Sequence, residues 1–423
     1  MQSSLTNLSL LKWKEVLGDH MDHITPESFN SYTSSFDEPV WFSKFRLDSF
    51  IAMQRTVMPV YRYGMSILVR PVSFSFSSLV PTLHPDVSVS IKGADDLVVF
   101  SGNHMEQVDY ADDLRMFLSR DWHHEKEENK LYHFQQAFCN HILFVKIPKG
   151  KTLEHPIEIT YDVHSGQVYA CLFILAEEGA KATVIVNRRA EDAVLYAGET
   201  VRVFAHQHSD VKIVTVQEHG NEVVGFHYKK ARCFRDAKVE WMDLYTGGQY
   251  TRSEITAALM GQGSSTIQKT LCLGRGKSRF DVQTISRHHA SHTTCDLLTR
   301  AALYDEAKFL SRGLITMGPS ASSSKGYEKQ DALLLSEHAE ANAIPQLEIY
   351  NHDVQCSHGS SVGPVDEAQL FYLMSRGLTR VDALRLIVEG YFSPVLSLAG
   401  DAVQEHFSAL FDRLAKRTMV VSL

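Results

Sequence analysis

From Ile157 to Gly318 the chain contains no proline, although Pro156 and Pro319 stand at the two borders. Proline removes a hydrogen bond from a strand ladder, so so long a gap suits an extended system of paired strands. The residues inside it agree. IEITYDV, QVYACLFIL, KATVIVN, VRVFAH, VKIVTVQ, VEWMDLY and TIQKTLCL are alternating or β-branched runs. Glycine turns punctuate them at Gly247–Gly248, Gly261–Gly263 and Gly274–Gly276. No helical pattern of about ten or more residues interleaves with the runs, which argues against a doubly wound βαβ sheet. Evenly spaced short strands broken by turns imply a sandwich, a barrel or a solenoid, and periodicity alone does not choose among them.

Three regions follow along the chain. Residues 1–148 are mixed: Leu5–Leu17 and Asp48–Val57 carry helical spacing, while Ile67–Phe76 and Val87–Phe100 read as extended, the first confined to an edge by Pro71. Asp121–Lys130, with His123 and His124, reads as a solvated loop or helix surface. Residues 149–364 form the strand-dominated core. Residues 365–423 turn helical. Asp366–Ser375 carries Leu370, Phe371, Leu373 and Met374 on its apolar side, and Gly377 stops it. Thr379 opens a second helix, with Asp382 in a capping-box-like position and Val381, Leu384, Ile387 and Val388 facing inward. Ser393–Pro394 reads as the start of a third helix that runs through Leu414.

Composition narrows the classes of function. The net charge is −8 and no long basic run is present, which speaks against nucleic acid as a partner. The opening MQSSLTNLSLLKWKEVLGDH lacks a basic segment followed by an apolar one, and no apolar stretch reaches the roughly 18 residues of a membrane span. The expected location is the cytoplasm. The six cysteines (Cys139, Cys171, Cys233, Cys272, Cys295 and Cys356) are scattered and form no CxxC pair, so neither a zinc ribbon nor a ferredoxin-type cluster is written here. Disulfides are not expected either.

Two motifs tempt and fail. Gly318–Gly326 (GPSASSSKG) is rich in glycine and serine, but Ser324 stands where a phosphate-binding loop needs glycine before its lysine. The segment reads as a flexible loop. In RHHASHTTC (Arg287–Cys295), His288 and His292 would share a face only on a helix, and the context is strand-rich. These histidines read as satisfied by their own surroundings.

Leu347–Gly363 (LEIYNHDVQCSHGSSVG) is different, and LFYLMSRGL (Leu370–Leu378) follows it. On a strand, Val354, Cys356 and His358 share one parity, so thiol and imidazole leave the same face about 6.6 Å apart. A soft sulfur beside an imidazole suits iron or zinc, or could serve as an activated nucleophile. Over these residues the chain closely resembles the SufB/SufD family, which assembles iron–sulfur clusters, and within it the SufD branch. The family's SufB members carry a cluster-building cysteine at the position of Leu373, which is absent here.

The resemblance implies a mainly β fold, with a right-handed parallel β-helix core, an N-terminal mixed and helical region and a C-terminal helical domain. It implies a non-catalytic scaffold that pairs with SufB through β-helix edges and docks the SufC ATPase through its C-terminal helices. A transient iron–sulfur cluster, or iron, would sit at the shared interface. His358 maps onto the family histidine implicated there, with Cys356 as a plausible accessory ligand. Reduced flavin is implied as a participant in the complex, with no site for it in this sequence, and a homodimer of the chain is a further form. His292 with Asp296, and Tyr304–Gly313, match family patterns that shape the β-helix wall. A thiolate at Cys356 would need its pKa lowered by positive neighbours or by the metal.

Two other classes remain to be weighed. A polysaccharide-acting β-helix enzyme would need a carboxylate pair, and none stands out. A Cys–His nucleophilic enzyme would need a base able to reach the sulfur, and adjacent placement on one strand suits that poorly.

Overall fold

A computed structural model describes residues 21–36, 38–63, 67–72, 74–94, 97–102, 113, 117 and 128–396. The expected helix Leu5–Leu17, the pair His123 and His124, and the chain beyond Leu396 lie outside them. Nineteen strands are described. Arg62–Tyr63 (β1) and Ile67–Leu68 (β2) form a small antiparallel pair. The others are β3 (Asp86–Lys92), β4 (Val98–Gly102), β5 (His141–Ile147), β6 (Ile157–Ala176), β7 (Lys181–Ala190), β8 (Val194–Ala205), β9 (Asp210–His219), β10 (Val224–Cys233) and β11 (Lys238–Gly247). They continue with β12 (Tyr250–Leu259), β13 (Ser265–Gly274), β14 (Arg279–His288), β15 (Thr294–Leu303), β16 (Lys308–Met317), β17 (Ser324–Leu334), β18 (Glu340–Ile349) and β19 (Val354–Pro364).

From β7 to β17 every strand pairs in parallel with the strand two further along, and from β8 onward none pairs with its sequence neighbour. That pairing is a parallel β-helix of two walls: β7, β9, β11, β13, β15, β17 and β19 form one, and β8, β10, β12, β14, β16 and β18 the other. The long strand β6 bends and contributes to both walls. The solenoid is therefore the correct choice among the three all-β options. Ile67–Phe76 is less extended than its composition suggests, since Phe76 opens a short 3-10 turn.

The coils are held in step at one corner. Gly150, Gly179, His208, Asp236, Gly263, His292 and Ser323 all have positive φ, spaced 29, 29, 28, 27, 29 and 31 residues apart. The backbone N–H of each donates to a carbonyl of the following coil, as from Gly179 to Gln207 (3.0 Å), His208 to Arg235 (2.9 Å) and His292 to Ser322 (2.9 Å). His292 is thus a left-handed corner residue, and its imidazole was not the reason for its place. His288 ends β14, buried, and shares hydrogen bonds with Thr293 Oγ1 (2.7 Å) and Ser286 Oγ (3.3 Å). The Gly318–Gly326 segment is a corner rather than a flexible loop: its last three residues already belong to β17.

The lumen of the early coils is aliphatic, with Ile157, Ile159, Val184, Val186, Val211 and Ile213 in contact. The outer face of the β8 wall is covered by the N-terminal region. There the helix Lys130–Ala137 buries Leu131 to Ala137, and Gln135 donates to Tyr196 Oη (2.7 Å) and to the Phe226 carbonyl (3.0 Å). The outer face of the β7 wall is covered by the helix Arg380–Leu396, whose Val388, Phe392 and Val395 pack on Val214, Val216, Met242, Leu244 and Leu271. This helix is capped by Thr379, whose Oγ1 accepts from the Asp382 N–H (3.1 Å). It runs unbroken through Pro394, so no third helix starts at Ser393. The expected helix Asp48–Val57 extends from Val40 to Arg55. Among the described residues, no helix is long and apolar enough to cross a membrane.

Two buried ion pairs interrupt the lumen, Arg188 with Glu199 and Lys229 with Asp243. Lys229 Nζ donates to Asp243 Oδ1 (2.7 Å) and Thr215 Oγ1 (2.7 Å), and Tyr245 Oη donates to Asp243 Oδ2 (3.1 Å). Both charges are fully buried. Removing one partner strands the other, whereas replacing both with apolar groups does not. Lys229→Met is expected to cost about 3–5 kcal/mol of unfolding free energy. The double substitution Lys229→Met/Asp243→Leu should recover most of that, as equilibrium denaturation would measure.

Candidate functional site

The two ends of the β-helix differ. At the amino end, β3 pairs antiparallel with β6 and β4 antiparallel with β5, so the first coil is covered. At the carboxyl end, β19 pairs with β17 and β18 with β16, and among the described residues no further strand lies on either. The last coil therefore presents unpaired backbone edges, the feature that proteins normally block.

Cys356 and His358 sit on this last coil. In β19, Cys356 pairs in register with Gly326 and His358 with Glu328. Gly326 and Glu328 are inward and buried, so both candidate side chains belong to the lumen face of the terminal strand. Cys356 is half-buried against Leu347, Val354, Ile315 and Met317. A Cβ at Gly326 would stand 3.1 Å from Cys356 Sγ, so the thiol occupies space that the bare glycine leaves. His358, one step from the end of that apolar patch, is exposed.

Glu328 escaped the reading of the sequence. It lies one coil behind His358, fully buried, and accepts from Gln330 Nε2. A Cβ on Gly313 would occupy the place of its carboxyl group, so Gly313 and Glu328 form a matched pair. The signal for Glu328 was the repeat itself: stepping one coil back from His358 lands on it. Burial pushes its pKa up to about 7, opposed by the Gln330 hydrogen bond. Burial also pushes the Cys356 thiol up to about 11, and the Glu328 charge adds to that rise. The lowered thiol pKa that a free thiolate would need is thus not supplied by this chain. The site has a protonated sulfur donor and an accessible imidazole, which a metal can engage by displacing the proton. A Cys–His nucleophile would require the opposite electrostatics.

The two helices after β19 carry a second exposed feature. Asp366 caps Glu367–Ser375, accepting from the Ala368 N–H (2.9 Å), and Gly377 ends it at φ 98°. Leu370 is buried, but Phe371 (74% exposed), Tyr372 (57%) and Met374 (40%) face outward, as do Val381 (44%) and Leu386 (48%) on the next helix. Phe371, Met374 and Val381 therefore do not face inward as their spacing suggested.

The family described as SUF system FeS cluster assembly, SufBD core domain, matches residues 160–391. An iron–sulfur cluster assembly SufBD family protein of Staphylococcus saprophyticus is 27% identical over 274 residues, covering 63% of this chain and 58% of that protein. The iron–sulfur cluster assembly protein SufD of Bacillus subtilis is 28% identical over 340 residues, covering 78% and 77%. A SufBD family protein of Staphylococcus epidermidis is 26% identical over 274 residues. The match spans under two thirds of the length of the staphylococcal relatives.

The elevated thiol pKa sets a measurable rate. Alkylation depends on the thiolate fraction, which for a pKa near 11 is about two orders of magnitude below that of a free cysteine at neutral pH. Cys356 in the isolated chain should react correspondingly slowly with iodoacetamide and accelerate as pH rises towards 11. Glu328→Gln removes the adjacent charge and should speed the reaction at pH above 7. Mass-spectrometric labelling resolves Cys356 from the other five cysteines, all of which are buried.

Proposed function

Because the chain belongs to the SufBD family of iron–sulfur cluster assembly proteins and is SufD-like, we propose that it is a non-catalytic scaffold subunit of a cytoplasmic assembly complex. It pairs with SufB through the β-helix edges and holds the SufC ATPase on its C-terminal helices. The nascent cluster, or the iron for it, is the cargo of the SufB–SufD interface. His358 is a ligand from this side and Cys356 an accessory one.

The observation that carries this reading is the uncovered last coil. Unpaired edges of β18 and β19 are a ready joint for a second β-helix, because strand addition supplies directional backbone hydrogen bonds. Cys356 and His358 lie on that same coil, so a partner seated there would close over them. The exposed Phe371, Tyr372, Met374, Val381 and Leu386 give the helices an apolar surface of the kind that binds a partner. ATP-driven closure of two SufC subunits would then pull on the helices of both scaffold chains and open the interface to iron and sulfide. The acceptor thiol for sulfur belongs to SufB, since Leu373 stands where the resemblance places it. Reduced flavin would act in the complex, and a homodimer through the same edges is a competing form.

Anaerobic co-expression of the chain with SufB and SufC tests the assignment. His358→Ala should leave complex yield unchanged while iron and acid-labile sulfide fall by about tenfold, the scale of losing one metal ligand. Unchanged cluster content would make the chain a structural partner alone. In the same system Phe371→Ser/Tyr372→Ser should weaken SufC binding by about tenfold or more without loss of SufB, read by co-purification and titration.

A further inference from the structure

The inner wall of the β-helix changes character along its length. Past the aliphatic early coils, the middle position of one wall turns polar and stays polar to the end. Thr215, Asp243, Thr270, Thr299, Gln330 and Ser360 succeed one another in unbroken register. The first five are buried, and Ser360 is exposed on the open coil. On the facing wall Lys229, which bonds Thr215 and Asp243, is followed in register by Ile255, Thr284 and Gly313. The same register sets Thr284 opposite the Thr270 and Thr299 level.

Beyond the Lys229–Asp243 cluster, these polar groups leave atoms unpaired. Thr270 Oγ1, Thr284 Oγ1, Ser311 Oγ, Gln268 Oε1, Gln330 Oε1 and Glu328 Oε2 have no hydrogen-bond partner among the described residues. All six residues are at most 1% exposed. A buried polar atom left unpaired costs about 1–3 kcal/mol, and net stabilities are only about 5–15 kcal/mol. Thr270, Thr284 and Gln330 lie in these two registers and Gln268, Ser311 and Glu328 at the inward positions beside them; six such orphans would consume most of that margin, so partners must come from outside the described residues. The spacing identifies them. Register neighbours stand about 4.8 Å apart; Thr293 Oγ1 and Ser324 Oγ do bond directly across one coil (2.8 Å), but Thr270 Oγ1 and Thr284 Oγ1 make no such contact among the described residues. A water oxygen about 2.8 Å from each, with a near-tetrahedral angle, spans about 4.6 Å. One coil of the β-helix is therefore the reach of one bridging water.

We propose that the lumen binds a file of water molecules, about one per coil, between Asp243 and the open coil. Thr270, Thr284, Thr299, Ser311 and Gln330 hold it, and it meets solvent at Ser360. The file joins the buried Lys229–Asp243 pair to the face that carries Cys356 and His358. This inference does not depend on the iron–sulfur reading.

Crystallography of the full-length chain, at a resolution that places waters, tests it directly, together with Thr270→Val and Thr284→Val and the control Thr270→Ser. The expected result is ordered density bridging the Thr270, Thr299 and Gln330 levels. Each valine variant should lose a bridging water, counted as long-lived water by oxygen-17 relaxation dispersion. The unfolding midpoint should drop by about 1 °C, the effect of one hydrogen bond in a chain of this length, and the serine control should keep both. The signs make the test decisive. If the seam is dry, valine removes an unpaired hydroxyl and raises the midpoint. A dry lumen in the wild-type density, or a rise in both valine variants, overturns the proposal. Should a valine variant fail to fold, the wild-type density and water count decide alone.

Discussion

Everything in this molecule follows from where its backbone hydrogen bonds go. In a parallel β-helix no strand pairs with its neighbour in sequence, so each coil is satisfied only by the coils above and below it. Such a stack has no natural stop. It must be capped, or it must expose a row of unpaired groups. This chain does one at each end. Antiparallel β3 and β4 cover the first coil, while among the described residues the last coil is left bare. An uncapped edge beside an exposed imidazole and a half-buried thiol is the arrangement on which the proposed pairing rests.

The same register that builds the walls also chooses what fills them. A parallel stack sets like positions over like, so a polar residue placed once tends to line up with polar residues in later coils. The seam from Thr215 to Ser360 is the outcome, and its cost depends on whether each hydroxyl finds a partner. The early lumen avoids the question at Ile159, Val186 and their neighbours but meets it at the buried Arg188–Glu199 pair. Glu328 poses it most sharply: the carboxyl is buried, is held over Gly313, and keeps its proton to about neutral pH.

Much of this was legible in the sequence, and the failures have physical causes. The strand runs and the proline-free interval mark the walls correctly because a ladder tolerates no proline in its middle. The solenoid repeat was harder to see. Its corner is held by left-handed backbone, which glycine signals, yet His208, Asp236, His292 and Ser323 occupy the same conformation without that signal. His292 was consequently weighed as a ligand when its φ explains it. Glu328 and the polar seam lie one coil apart at intervals that drift between 27 and 31 residues, so no fixed period reveals them until the corners are aligned. The terminal helices misled in the opposite direction. Apolar spacing was read as an inward stripe, but Phe371 and Val381 point outward because the described chain covers only Leu370, Ala383 and their neighbours.

The electrostatics of the last coil bear on which half of the chemistry this chain supplies. A thiol that is to accept sulfur or iron unaided needs a cation or a helix terminus to draw off its proton. Around Cys356 the opposite holds: burial and the Glu328 carboxyl both favour the protonated form. In the proposed role, the positive charge would come from a bound metal or from a partner. Metal binding does this by itself, because coordination stabilises the thiolate against the proton. His358 needs no such help, since a neutral imidazole already offers its lone pair. A site with a ready imidazole and a reluctant thiol, lying on an edge that invites another β-helix, is suited to hold what a partner initiates. That ordering, imidazole first and thiol second, is why His358 rather than Cys356 is the residue on which the proposed assembly role depends.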